Sequence, residues 1–112
     1  MAVSFWEVLE RSRAGEKVEE KVFDMSIFKA VQRLSKEYCI TYEKTQPVPS
    51  EDRLADAIFN AGLQFYAEVG TFCISTGRVI RFTEEEIREG LAASPEEIRL
   101  GEGKEAFTLR HR

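Results

Sequence analysis

The residues of this chain that could do chemistry are few. His111 is the only histidine and stands next to last, where no surrounding pocket can shape it as a base or a ligand. Cys39 and Cys73 are the only cysteines. Structural zinc needs four thiolate or imidazole ligands, and these three residues fall short in number and in spacing. Cys73 as a nucleophile would require a neighbouring base or a helix N-terminus to lower its pKa. Neither is identifiable, so packing on a strand face is expected instead. Both thiols are expected to be reduced and buried, outside any disulfide. Glu84, Glu85 and Glu86 could suggest a cation site, but carboxylates belong in the first turn of any helix. The run GEGK, 101–104, lacks the full phosphate-loop pattern and falls between strands rather than before a helix. The residues therefore offer no catalytic, cofactor-binding or metal-binding candidate. Phe5 and Trp6 remain. Neighbours on a helix point about 100° apart, so both cannot easily enter one small core. They form the candidate interaction surface, for a partner or for a further part of the same protein.

Composition narrows the class. The chain has 112 residues, 43% hydrophobic and 32% charged, a globular balance that fits one domain, 1–112, able to bury a core without metal or disulfides. Net charge is −4, with 20 acidic and 16 basic residues, which argues against nucleic acid. The only basic cluster is Arg110 to Arg112 at the end. The opening MAVSFWEVLERSR is acidic and amphipathic, unlike a signal peptide, and no apolar run approaches the ~18 residues of a membrane span. The cytoplasm is the expected compartment.

These residues need elements to position them. Ser4 and Glu7 are spaced as a capping box, with Val3 and Val8 as its staple. A first helix is expected over Phe5 to Ala14, stopped by Gly15. Ile27, Ala30, Val31, Leu34 and Tyr38 recur at helical spacing and predict a second helix from Asp24 to Glu37, with Phe23 and Phe28 widening its apolar face. Pro47 and Pro49 make 40–50 an extended crossing segment. Ser50 then caps a third, central helix reaching Val69, with Leu54, Ile58, Ala61, Gly62, Phe65 and Val69 as its stripe. Gly62 reads as a close helix crossing. After Gly70, TFCIS and RVIRF alternate as a hairpin. Phe72 and Ile74 oppose Cys73 in the first strand, and Ile80 and Phe82 oppose Val79 and Arg81 in the second. The turn around Thr76-Gly77 suits either two residues or three with a glycine bulge. Thr83 and Glu86 form a second capping box, with Phe82 stapled on Ile87, and the helix it opens runs through Leu91 to Ser94-Pro95. Ile98 and Leu100, then Phe107 and Leu109, alternate as a last strand pair turned by Gly101 and Gly103. The fold class is α+β: three helices, a β-hairpin leading into a capped helix, and a short C-terminal strand pair.

Three stretches carry a resemblance: AEVGTFC, then TGRVIRFTEEEI, then EEIRLGEGKEA, with RSRAGEKVEEKVFD before them. They resemble the N-terminal region of monomethylamine:corrinoid methyltransferases of methylotrophic archaea, most strongly from Glu51 to Arg110. Trimethylamine methyltransferases have a similar hairpin-to-helix pattern. The resemblance implies a longer protein. Its body is a (β/α)8 barrel that binds a methylamine, activates it with a pyrrolysine and presents the methyl group to the Co(I) corrinoid of a partner protein. A barrel needs about 250 residues, so none is expected in this chain. No position here matches the pyrrolysine or its pocket, and no catalytic residue carries over.

Three functions follow as expectations. The chain is a catalytically inert N-terminal fragment or truncated form of such an enzyme, packed on the barrel or at a subunit interface. Alternatively it is a free-standing interaction or oligomerisation module that binds a partner or itself. A third reading is a small-molecule sensor with a pocket beside the third helix.

Overall fold

The computed structural model describes residues 3–48 and 50–110. The element order is α1 (Phe5–Ala14), α2 (Glu20–Glu37), α3 (Asp52–Val69), β1 (Thr71–Cys73), β2 (Arg78–Ile80), α4 (Glu84–Ala93), β3 (Glu97–Leu100), a single 3₁₀ turn (Gly103–Glu105) and β4 (Phe107–Arg110). No closed barrel is present among the described residues. The expected α+β class is the one observed.

Caps set the helix starts where they were legible. Ser4 Oγ accepts from the Glu7 amide at 3.2 Å. Glu7 does not return the bond; its carboxylate lies 3.8 Å from Arg11 instead, so only half of the expected box forms. At α4 both halves form: Glu86 N donates to Thr83 Oγ1 and Thr83 N donates to Glu86 Oε1, each at 3.1 Å. Two starts differ from expectation. α2 begins at Glu20 rather than Asp24, with Glu19 at the N-cap and no side-chain cap bond; carboxylates beside the positive end of the helix dipole stabilise the extra turn. α3 begins at Asp52 with Glu51 at the N-cap. Ser50, the expected cap, instead accepts from Gln46 Nε2 at 3.3 Å. Pro49 lies outside the described residues.

The first sheet is the antiparallel pair β1–β2, with Thr71 opposite Ile80 and Cys73 opposite Arg78. Its loop takes four residues, 74–77, and closes with Gly77 N donating to Cys73 O at 2.8 Å. Gly77 carries the positive φ, 67°, so the glycine is used as expected in a loop longer than either form considered. Ile74 falls in this loop and is exposed, not on the Phe72 face. The segment 16–18 runs along the free edge of β2: Val79 N donates to Glu16 O at 2.9 Å and Val18 N donates to Gly77 O at 3.1 Å.

Of two glycines singled out in the sequence, one keeps its expected place and one does not. Gly15 ends α1 as expected, at its C-cap, but with φ −66°, ordinary for any residue. What requires glycine is closeness: a Cβ there would lie 2.2 Å from the carbonyl oxygen of Val79. Gly62 has nothing within 4 Å of where its Cβ would stand. It marks no helix crossing and faces solvent.

The core draws its side chains from α2, α3 and β2. Its buried apolar side chains are Ala30, Leu34, Ala61, Leu63, Val69, Val79 and Ile80. Phe23 of α2 stacks on Phe72 of β1 at 5.4 Å between centroids. The core is small for the chain. Val22, Met25, Phe28 and Val31 leave the outer side of α2 apolar and exposed, as do Ile58 and Phe59 on α3. The accessible surface is 9360 Å², against about 6300 Å² for a compact monomer of 12.8 kDa. The radius of gyration, 17.8 Å, likewise exceeds the roughly 13 Å of a compact chain of this length.

The second sheet accounts for part of this excess. β3 and β4 pair antiparallel over four residues each, as the alternation predicted. Every residue in both strands is exposed, and neither strand packs closely on a helix.

Candidate functional site

The best-tied polar cluster joins α1, the end of β2 and α4. Arg11 Nη1 donates to Arg81 O at 3.1 Å and to Glu86 Oε1 at 3.2 Å, and Nη2 reaches Glu86 Oε2 at 2.7 Å. The guanidinium sits over the Phe82 ring at 5.4 Å, and Phe82 stacks on Tyr66 at 6.0 Å. The hydrogen bond from Arg11, supported by the Thr83 amide, holds the Glu86 carboxyl below its ordinary pKa. Arg81 extends the cluster to Glu16 at 2.9 Å and to Glu68 O at 3.3 Å. Arg33 grips the Glu68 carboxylate with both nitrogens, one at 2.7 Å, and lowers its pKa in turn. Paired bonds of this kind fix orientation. A carboxylate held by a guanidinium is a poor base, so the cluster is a clamp rather than a reaction centre. Glu86 is thus engaged as a cap and as an ion-pair partner, and Glu84 pairs with Arg88 at 3.0 Å.

Two hollows flank this clamp and α3. One, of about 480 Å³, is lined by Val3, Val8, Phe82 and Ile87, with Tyr66 and Leu91. Both hydrophobic staples therefore face the same space. The other, of about 330 Å³, lies beside α3 among Tyr38, Cys39, Tyr42, Glu43, Glu51 and Arg53. It is where the sensor reading would place a ligand. Among the described residues no group of three His, Cys, Asp or Glu could hold a metal ion.

Each singled-out residue has a definite place. Phe5 and Trp6 are 72% and 73% exposed and meet edge to face at 5.5 Å; neither enters the core. Cys73 is half-buried and free. The Thr76 hydroxyl beside it, with the amides of Thr76 and Ser75, pulls its pKa down. Thr76 Oγ1 is buried and makes no other hydrogen bond among the described residues. Cys39 is free and exposed, contrary to the expectation that it is buried. The reason is its backbone. Tyr38 caps α2, Cys39 takes φ 54°, and Ile40 N donates to Ser35 O at 2.9 Å while Cys39 N donates to Lys36 O at 3.3 Å. This is a Schellman ending with cysteine where glycine is usual. GEGK forms the β3–β4 loop, with positive φ at Gly101 and Gly103. His111 lies outside the described residues. No helix among them is long and apolar enough to cross a membrane.

The feature not anticipated is how much apolar surface stays open. Alternation identified the inward faces of β3, β4 and α2, but not whether anything in the chain would cover them.

The family model described as monomethylamine methyltransferase MtmB matches residues 3–112. Relatives include monomethylamine methyltransferase MtmB of Methanosarcina mazei and MtmB1 of Methanosarcina acetivorans, each 29% identical over 108 residues. The match covers 96% of this chain and 23% of each relative. The solved structure of the Methanosarcina barkeri monomethylamine methyltransferase is similar at TM-score 0.88 with 28% identity, covering 96% of this chain and 23% of that one. A hydroxylamine complex of MtmB gives the same values.

Proposed function

We propose a role for this chain from one premise: it belongs to the monomethylamine methyltransferase MtmB family and corresponds to an N-terminal region of its members. In this reading the chain is the scaffold that precedes a catalytic barrel. The complete enzyme moves a methyl group from monomethylamine to a corrinoid carried by a separate protein in the cytoplasm. The bound corrinoid supplies the methyl acceptor. The residues of this chain hold α1, the β1–β2 hairpin and α4 as one unit through the Arg11–Glu86 clamp, and present apolar faces to the rest of the enzyme. The observation that carries the reading is the match over 3–112 combined with coverage of only 23% of the relatives. A fragment of a larger fold leaves open the surface that the remainder would cover.

The test is methyl transfer. A single polypeptide in which 1–112 replace the matched segment of the Methanosarcina barkeri enzyme is expected to methylate a Co(I) corrinoid protein from monomethylamine, and the 112-residue chain alone is not. Turnover by the short chain alone would overturn the reading.

A second reading, a free-standing interaction module, is favoured by the exposure of both Phe5 and Trp6. It predicts self-association that Phe5→Ala with Trp6→Ala weakens. An unchanged particle mass by light scattering removes it.

A further inference from the structure

The β3–β4 ribbon has two unlike faces. Register sets Ile98 opposite Leu109 and Leu100 opposite Phe107, so these four side chains share one face. Glu97, Arg99, Thr108 and Arg110 share the other, where Arg110 Nε meets Glu97 at 2.9 Å. The four apolar residues are between 41% and 58% exposed. A lone two-stranded hairpin is marginal in water unless its apolar face is packed, and clean alternation is the pattern of a ribbon with one covered side.

Two observations identify the cover. The first is area. The apolar face offers on the order of 400 Å², about half of the ~800 Å² per partner that a stable association buries. A second copy of the chain, face to face, is therefore too small an interface. The second is the Methanosarcina barkeri structure. The likeness at TM-score 0.88 leaves only 4% of this chain uncovered, far less than the ribbon, while covering 23% of that chain. The relative therefore builds the same ribbon and carries over three times as much further polypeptide in the same molecule.

We propose that the face made by Ile98, Leu100, Phe107 and Leu109 is the docking surface for the remaining portion of an MtmB-family polypeptide, with the charged face left to water. This rests on the scaffold reading above and assigns it a surface. The ribbon, rather than Phe5 and Trp6, is the anchor.

Hydrogen exchange tests it, comparing the 112-residue chain with the Methanosarcina barkeri chimera that contains it. Ladder amides of β3 and β4 are expected to exchange roughly a hundredfold slower in the chimera. Leu100→Ser with Phe107→Ser in the chimera restores fast exchange and lowers its melting temperature, whereas Arg99→Ser changes neither. A folded chimera whose ribbon exchanges as fast as in the short chain overturns the docking surface and leaves the scaffold reading standing. A chimera that does not fold while its parent does overturns the scaffold reading, and the docking surface with it. Slow ribbon exchange in the short chain that grows with its own concentration assigns the face to a second copy and also overturns the proposal.

Discussion

The two hairpins of this chain make a controlled pair. β1–β2 has strands of three residues and β3–β4 strands of four, so pairing alone favours the second. Yet the first is the better embedded. Val79 and Ile80 are buried, Phe72 stacks on Phe23, and 16–18 pairs with the outer edge of β2. The second has its ladder and, among the described residues, no helix packed closely over its apolar face. The difference teaches that cover, not strand length, makes a short ribbon part of a core.

The sharpest way to break that comparison is the same substitution in both regions. Leu34 is 3% exposed in the helical core, and Leu100 is 41% exposed on β3. Leu34→Ala should cost about 3 kcal/mol, in line with cavity-forming changes. Leu100→Ala should cost about 0.5 kcal/mol or less, as expected for exposed positions. Urea denaturation of the 112-residue chain measures both. Equal losses would mean that the second ribbon is packed in solution after all.

The next effect probes the clasp on β2. Gly15→Ala puts a Cβ 2.2 Å from Val79 O, and backbone cannot yield as a side-chain tip can. The 16–18 edge and the bond from Arg78 Nη1 to Gly15 O, 2.7 Å long, must shift together. A loss of about 2 kcal/mol is expected, as for overpacked sites. Thermal melting reads it, and exchange in β3–β4 should not change.

Gly15 also shows where sequence reading stops. Local signals were legible to the residue: α1 spans Phe5–Ala14 as its cap and spacing predicted, and the Thr83–Glu86 box opens α4. Such signals act over three or four positions of one segment. What was missed or misread depends on contacts between segments. Gly15 ends α1 as expected, but the need for glycine there comes from a strand more than sixty positions away. Gly62 looked like a crossing because nothing local says a helix face is bare. Cys39 looked buried because thiols usually are, while its place depends on how α2 ends. The clamp was half legible: Glu86 was placed as a cap, and its partner Arg11 was not foreseen.

Two of those misreadings give stabilising changes of about 1 kcal/mol. Gly62→Ala adds helix propensity at an open site of α3. Cys39→Gly relieves the left-handed backbone at the end of α2. Both should raise the denaturation midpoint without altering the slope, and the double variant should be additive because no contact is shared. A loss at Gly62 would show that something covers α3 there, weakening the contrast between open and covered faces.

The smallest effect sets the clamp against the charged side of the ribbon. Arg11 and the Thr83 amide depress the folded pKa of Glu86. A depressed carboxyl contributes stability that is present above its unfolded pKa and lost as pH falls through the folded one. Glu86→Gln keeps the shape but removes the charge. Its melting temperature should fall below that of the natural chain near neutral pH, and the two should converge as pH drops from about 5 to about 2. Some slope should remain in the variant, because Arg33 lowers Glu68 in the same sense. Glu97→Gln removes the carboxylate that Arg110 meets at the same 2.9 Å seen between Arg81 and Glu16. It should leave the melting curve unmoved near neutral pH, since an exposed pair on an uncovered ribbon is worth little. A loss at Glu97 matching that at Glu86 near neutral pH would erase the distinction between the two hairpins at its electrostatic end.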